Sequence, residues 1–117
     1  MRWNENTMIC TYRVREGCKD QFLKLLKQHW ETLRDAGLAT EEPAVHFEAV
    51  SSAKEQHDEQ GVTFVEIFSW VDADSSDVAH RSPEVMAIWE PMGGLVEARG
   101  GRPPMEFHRY RPLNFGD

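Results

Sequence analysis

Gly61-Val62-Thr63-Phe64-Val65-Glu66-Ile67-Phe68-Ser69-Trp70 reads as a β-strand that is apolar on both faces, with one carboxylate in its middle. Alternation sends Phe64, Phe68 and Trp70 to one side, with Glu66 among them, and Val65 and Ile67 to the other. A strand with one wet face alternates apolar and polar residues instead. This strand therefore belongs in a sheet covered on both sides, and the helices this chain can supply cover only one.

Upstream, Met8 to Arg15 is a first strand, with Met8, Cys10, Tyr12 and Val14 alternating against Ile9, Thr11 and Arg13. From Cys18 to Ala36, Phe22, Leu25, Leu26, His29, Trp30 and Leu33 recur at three- and four-residue spacing and form the apolar stripe of a helix, which Gly37 ends. Pro43 marks the edge of a second strand, Ala44 to Val50, with Val45, Phe47 and Ala49 on one face and Ala44, His46, Glu48 and Val50 on the other. Residues 51–60 are strongly polar and read as a hairpin loop into the third strand.

Downstream, Asp72 to Asp77 is rich in helix-capping residues and opens a short helix through Val78, Ala79 and His80. Ser82-Pro83-Glu84 starts another, a cap residue followed by proline and an acid. Val85, Ile88, Trp89, Met92, Leu95 and Val96 continue at helical spacing, with a kink expected at Pro91 and an end at Gly100-Gly101. Met105 to Tyr110 is the last strand, and an irregular tail follows from Arg111. The order strand, helix, strand, strand, helix, strand is the split βαβ, ferredoxin-like plan, α+β in class. It predicts one four-stranded antiparallel sheet with two helices on one face, in a single domain over residues 1–117. A second copy placed face to face supplies the missing cover, so a homodimer is expected.

Composition narrows the partners. Hydrophobic residues are 40% and charged residues 28% of the chain, ordinary for a globular domain. The formal net charge of −7, without a Lys/Arg cluster, argues against nucleic acid and against an anionic membrane surface. No stretch approaches the roughly 20 apolar residues that span a bilayer, and Met1 to Thr7 lacks the apolar run of a signal peptide. Cys10 and Cys18 read as reduced thiols, so the expected location is cytoplasmic.

Four segments now carry a resemblance: Tyr12-Arg13-Val14-Arg15-Glu16-Gly17, Phe22 through Trp30, Phe64 through Trp70, and Ala79-His80-Arg81-Ser82-Pro83-Glu84-Val85-Met86. Together they resemble the dimeric α+β barrel superfamily, and within it the antibiotic-biosynthesis-monooxygenase-like (ABM-like) proteins. The resemblance implies a small-molecule cavity between the helices and the sheet of each protomer. It also implies an oxygenase chemistry without flavin or metal, in which a reduced phenolic substrate itself reacts with O2. Trp70 matches a tryptophan of the superfamily's heme-degrading branch. Trp89 stands where that branch has its heme-ligand histidine, and Thr11 or Tyr12 falls at its polar asparagine, so no heme is implied.

Three residues are candidates for chemistry. Glu66, flanked on its strand face by Phe64 and Phe68, is a desolvated carboxylate whose pKa rises unless donors compensate. It is either a general base or acid, or a structural partner of Arg13, His29 or a second chain. His29 lies between Leu26 and Leu33 on the helix face that meets the sheet, as a proton acceptor or as a satisfied core histidine. His80, just before the Ser82-Pro83 break, either closes the cavity mouth or binds a helix-terminal carbonyl. His46 and His108 are placed to face a partner, and His57 to be solvated. His29, His80 and Glu66 lack any metal-binding spacing, so no metal is expected. Tyr12, Trp70, Met86 and Trp89 are the expected substrate-binding residues: three walls and one phenolic donor.

The leading expectation is an ABM-like homodimer that binds a small apolar or aromatic molecule, with cofactor-independent monooxygenase chemistry as its candidate activity. His29 or Glu66 deprotonates the substrate and His80 orients it. The competing expectation is a non-enzymatic dimeric binding or accessory protein, its core filled and its polar residues fixing the packing.

Overall fold

A computed structural model describes residues 2–50 and 61–116. Its elements run β1 (Thr7–Val14), α1 (Lys19–Asp35), β2 (Val45–Glu48), β3 (Val62–Ser69), α2 (Ser75–Ala79), α3 (Pro83–Gly93) and β4 (Met105–Tyr110). The polar stretch 51–60, expected as a hairpin loop and holding His57, lies outside the described residues. The strands form one antiparallel sheet in the order β2-β3-β1-β4. That is the ferredoxin-like order expected from the succession of elements, and β3 sits inside it with a neighbour on each side.

The register explains the double-sided pattern of β3. Glu66 pairs with Cys10 and with His46, and Phe64 with Tyr12, on the face that meets the helices. The stripe of α1 buries Phe22, Leu26, His29 and Leu33 against this face, and α3 adds Val85, Ile88 and Met92. Phe22 and Phe64 stack with ring centroids 6.0 Å apart, joining α1 to β3. On the opposite face Val45, Ile67 and Ile9 make one row, and Phe47, Val65 and Thr11 the next. Phe47 is 58% exposed there and Tyr110 49%.

α3 is shorter than expected. It ends at Gly93, two residues after Pro91, which has no N–H for the helix ladder. Leu95 and Val96 therefore leave the helix and return to β1. Arg15 N–H donates to the Leu95 carbonyl at 2.9 Å, and Glu97 N–H to the Arg13 carbonyl at 2.9 Å. Gly100-Gly101, expected to end a helix, instead forms a reverse turn at φ +61 and +77, closed by paired backbone hydrogen bonds between Arg99 and Arg102. Two consecutive positive φ angles are what a two-residue hairpin turn of the I′ type needs, and glycine reaches them without strain. Leu95 and Val96 continue the apolar spacing of a helix, but they are half-buried against a strand instead.

Arg99 locks this returning loop to the sheet. Its guanidinium donates to the Val14 carbonyl at 3.1 Å, the Val62 carbonyl at 3.0 Å and Thr63 Oγ1 at 2.9 Å. Gly61 lies directly beneath: a Cβ there would overlap the Val14 carbonyl oxygen and crowd the Arg99 guanidinium. Gly61→Ala should destabilise the fold by about 1–3 kcal/mol through overpacking. Gly93→Ala, where a Cβ meets nothing, should not. Urea unfolding of the two variants checks this pair of outcomes.

Candidate functional site

Glu66 has no exposed surface, yet it is the best-bonded side chain of the core. Its Oε1 accepts from the Tyr12 hydroxyl at 2.7 Å and from His29 Nδ1 at 2.8 Å, and its Oε2 accepts from His46 Nε2 at 2.8 Å. The donors come from β1, α1 and β2. Burial by itself pushes this carboxyl upward. The His29 imidazole beside it, with the hydrogen bonds from His29, His46 and Tyr12, outweighs that and brings it down to about 2. Arg13, one of the partners considered from sequence, lies on the other face and pairs with Glu106 at 2.7 Å. Burial and the Glu66 charge push the Tyr12 phenol and the Cys10 thiol upward, so Tyr12 stays a donor and Cys10 a neutral thiol.

The network continues to α3. Trp89 Nε1 lies 2.8 Å from His29 Nε2. An indole can only donate, so His29 Nε2 is an acceptor and its one ring proton sits on Nδ1, directed at Glu66. The geometry therefore fixes the orientation of the His29 ring, with Nδ1 toward Glu66 and Nε2 toward the Trp89 indole. His46 is the member of this set whose place the sequence left open. It faces Glu66 on the helix side of the sheet rather than a partner, with 39% of its side chain exposed. Its alternation with Val45 and Phe47 was the available signal, because it puts His46 on the face opposite the exposed apolar residues. His108, by contrast, lies on the other face and approaches Glu106 at 3.6 Å.

Beside the network lies a cavity of about 240 Å³, between the sheet and the α2–α3 segment. Phe68, Trp70, Trp89 and Met92 wall it, Met8, Cys10 and Met105 floor it, and His29, His80 and Tyr12 supply its polar surface. Trp70 packs edge-on to Phe68 with ring centroids 4.9 Å apart, and its backbone N–H reaches the Asn6 carbonyl. His80 packs against Trp89 at 4.8 Å, and its Nδ1 donates to the Ser76 carbonyl at 2.8 Å. Its other ring nitrogen, Nε2, has no hydrogen-bond partner among the described residues.

The structure thus brings Tyr12, His29, His80, Trp70 and Trp89 to one cavity. Glu66 stands behind that wall, and Met86 on α3 is half-buried outside it. Helical spacing explains Met86: it follows Val85 on α3, while Val85, Ile88 and Met92 take the buried stripe. Among the described residues no group of three or more His, Cys, Asp or Glu side chains is arranged to hold a metal ion.

No protein-family model matches the sequence, and no curated protein is significantly similar to it. Solved structures do match. An Arabidopsis thaliana protein superposes with a TM-score of 0.67 at 11% identity, over 94% of this chain and 97% of its own. An antibiotic biosynthesis monooxygenase matches with a TM-score of 0.57 at 16% identity, over 91% and 98% of the two chains. SnoaB, a cofactor-independent oxygenase from Streptomyces nogalater, matches as a variant with a TM-score of 0.57 at 11% identity, over 93% of each chain. At these identities the shared property is the fold, the one expected from the four sequence segments, and fold alone does not transfer an activity.

The buried carboxylate makes the fold sensitive to acid. Its native value lies below the ordinary 4.5, so the stability it contributes is present above that pH and drains away as pH falls toward 2. Glu66→Gln, uncharged throughout, should flatten the stability curve in this window while lowering stability at neutral pH. His29→Ala removes one of the two donors to Glu66 Oε1 and leaves the Trp89 indole without its acceptor, and should cost about 1–3 kcal/mol. Urea midpoints measured at neutral pH and across the acid range test both outcomes.

Proposed function

We propose that this chain is an ABM-like protein that binds a small, flat, apolar or aromatic molecule in the cavity under Trp70 and Trp89, and that it oxidises such a molecule with O2 without a bound cofactor. The observation that carries this reading is the cavity itself: dry walls of two tryptophans, a phenylalanine and methionines, with His80 offering an uncommitted ring nitrogen. The structural likeness to a cofactor-independent oxygenase supports it.

In this reading His80 Nε2, not His29 or Glu66, takes the proton of a phenolic or enolic hydroxyl. His29 Nε2 is already occupied by the Trp89 indole, and Glu66 is held ionised by its three donors. Deprotonation leaves an electron-rich aryl-oxide, which gives an electron to O2 in a space that excludes water. Over the turnover a ring CH2 becomes C=O, and the second oxygen atom leaves as water with the two displaced hydrogens. Glu66, Tyr12, His29 and His46 act as the frame that holds Trp89 in place.

The protein acts as a homodimer in this proposal, paired through the sheet face that carries Ile9, Val45, Phe47, Val65 and Ile67. The exposure of Phe47 on that face supports the pairing. A non-enzymatic binding or accessory role is the second reading, favoured by the engagement of the whole Glu66 network in packing. Both readings place the protein in the cytoplasm, and neither involves nucleic acid or a membrane.

Light scattering after gel filtration should give twice the 13.5 kDa chain mass; a clean monomer removes the dimer from the proposal. Anthrone should raise the melting temperature and be consumed with uptake of one O2. Trp70→Ala should abolish the shift, while His80→Phe should leave binding and lose at least about tenfold in rate. Stabilisation by anthrone with no oxygen uptake would select the binding reading over the enzymatic one.

A further inference from the structure

The cavity does not end at Trp70. A second concavity of about 190 Å³ adjoins it and shares Met8, Trp70, Ser76 and Phe107 with it. Its remaining lining differs in kind: Asn6, Asp72, Ala73 and Arg109. Side by side, the two pass from an apolar interior to a polar rim, and an occupant that matches both parts is amphipathic.

The sign of its polar end follows from the two charged residues of the rim. Asp72 is engaged in the turn that opens α2: its Oδ1 accepts from the Asp74 N–H at 2.9 Å and the Ser75 hydroxyl at 3.3 Å. Arg109 is not engaged. The register pairs it with Met8, which puts it on the helix side of β4, and its guanidinium has no hydrogen-bond or ion-pair partner among the described residues. Its neighbour in the strand, His108, lies on the opposite face beside Glu106. In a chain of net charge −7, this places an uncommitted guanidinium in the polar rim that adjoins the apolar cavity. A planar fork of N–H donors is suited to a carboxylate, which it can bind through two parallel hydrogen bonds.

The geometry points to Arg109 as the specificity-determining residue of the site: it anchors the anionic group of a ligand whose aromatic or apolar body fills the cavity beneath Trp70. The inference rests on the cavity reading above and narrows its ligand class to amphipathic organic acids. Asp72, across the rim, repels a second acidic group, so a monoanion fits better than a dianion.

Two probes of the same ring system test this by calorimetry: 2-naphthol and naphthalene-2-acetate. The wild-type protein should bind the acid about tenfold more tightly, with the difference shrinking as salt is raised. In Arg109→Ala the preference should vanish while 2-naphthol affinity and melting temperature stay unchanged, and Arg109→Lys should restore part of it. Equal affinity of the two probes for the wild type, or a preference that survives Arg109→Ala, overturns the role of Arg109. If 2-naphthol still binds and Trp70→Ala weakens it, the cavity reading stands while the Arg109 assignment falls. If neither probe binds, both fall together.

Discussion

A carboxylate without exposed surface must be matched by donors on every side, and Glu66 organises this protein because the match comes from three other elements. Removing an ion of this kind from water costs several kcal/mol, recovered only when geometry and hydrogen bonding are close to ideal. Tyr12, His29 and His46 meet it at 2.7–2.8 Å. The register of β1 and β2 against β3, and the rotation of α1 about its axis, are all tied to that requirement. A one-residue slip of either strand would carry its donor to the other face of the sheet.

The same constraint reaches the cavity through one proton. Because the His29 proton is directed at Glu66, its other ring nitrogen is an acceptor, and an indole N–H from α3 fits there. Trp89 is therefore a wall whose position is determined by a charge two side chains away. Its ring in turn supports His80. The dry walls and the polar network are parts of one packing solution, in which the carboxylate supports the site from behind the wall.

Much of this architecture was legible in the chain. The apolar pattern of Phe64 to Trp70 identified a strand, and the stripe from Phe22 to Leu33 identified the helix that covers one face of it. His29 was readable as facing the sheet from its place between Leu26 and Leu33. The end of α3 was not. Leu95 and Val96 have the right spacing for a helix, and only their bonding to β1 shows that they belong to a loop returning across the strand ends. The Gly100-Gly101 pair signalled a stop correctly and its kind incorrectly, because paired glycines serve a helix end and a tight hairpin turn equally well. Met86 was counted as a wall by size and softness, qualities that do not reveal which side of α3 meets the cavity.

The sequence by itself determined the order of the elements and the presence of one carboxylate, on an apolar strand, that the core must accommodate. These are local properties: periodicity, capping residues and turn chemistry act over a few positions of the chain. Only the tertiary structure decided which residues satisfy Glu66, that His46 and not Arg13 is among them, that Trp89 completes the chain of hydrogen bonds, and that Arg109 lines the concavity beside the cavity. Those facts depend on strand register and on helix rotation. Both are settled by the simultaneous satisfaction of contacts between positions as distant as Tyr12 and Glu66, which no local pattern encodes.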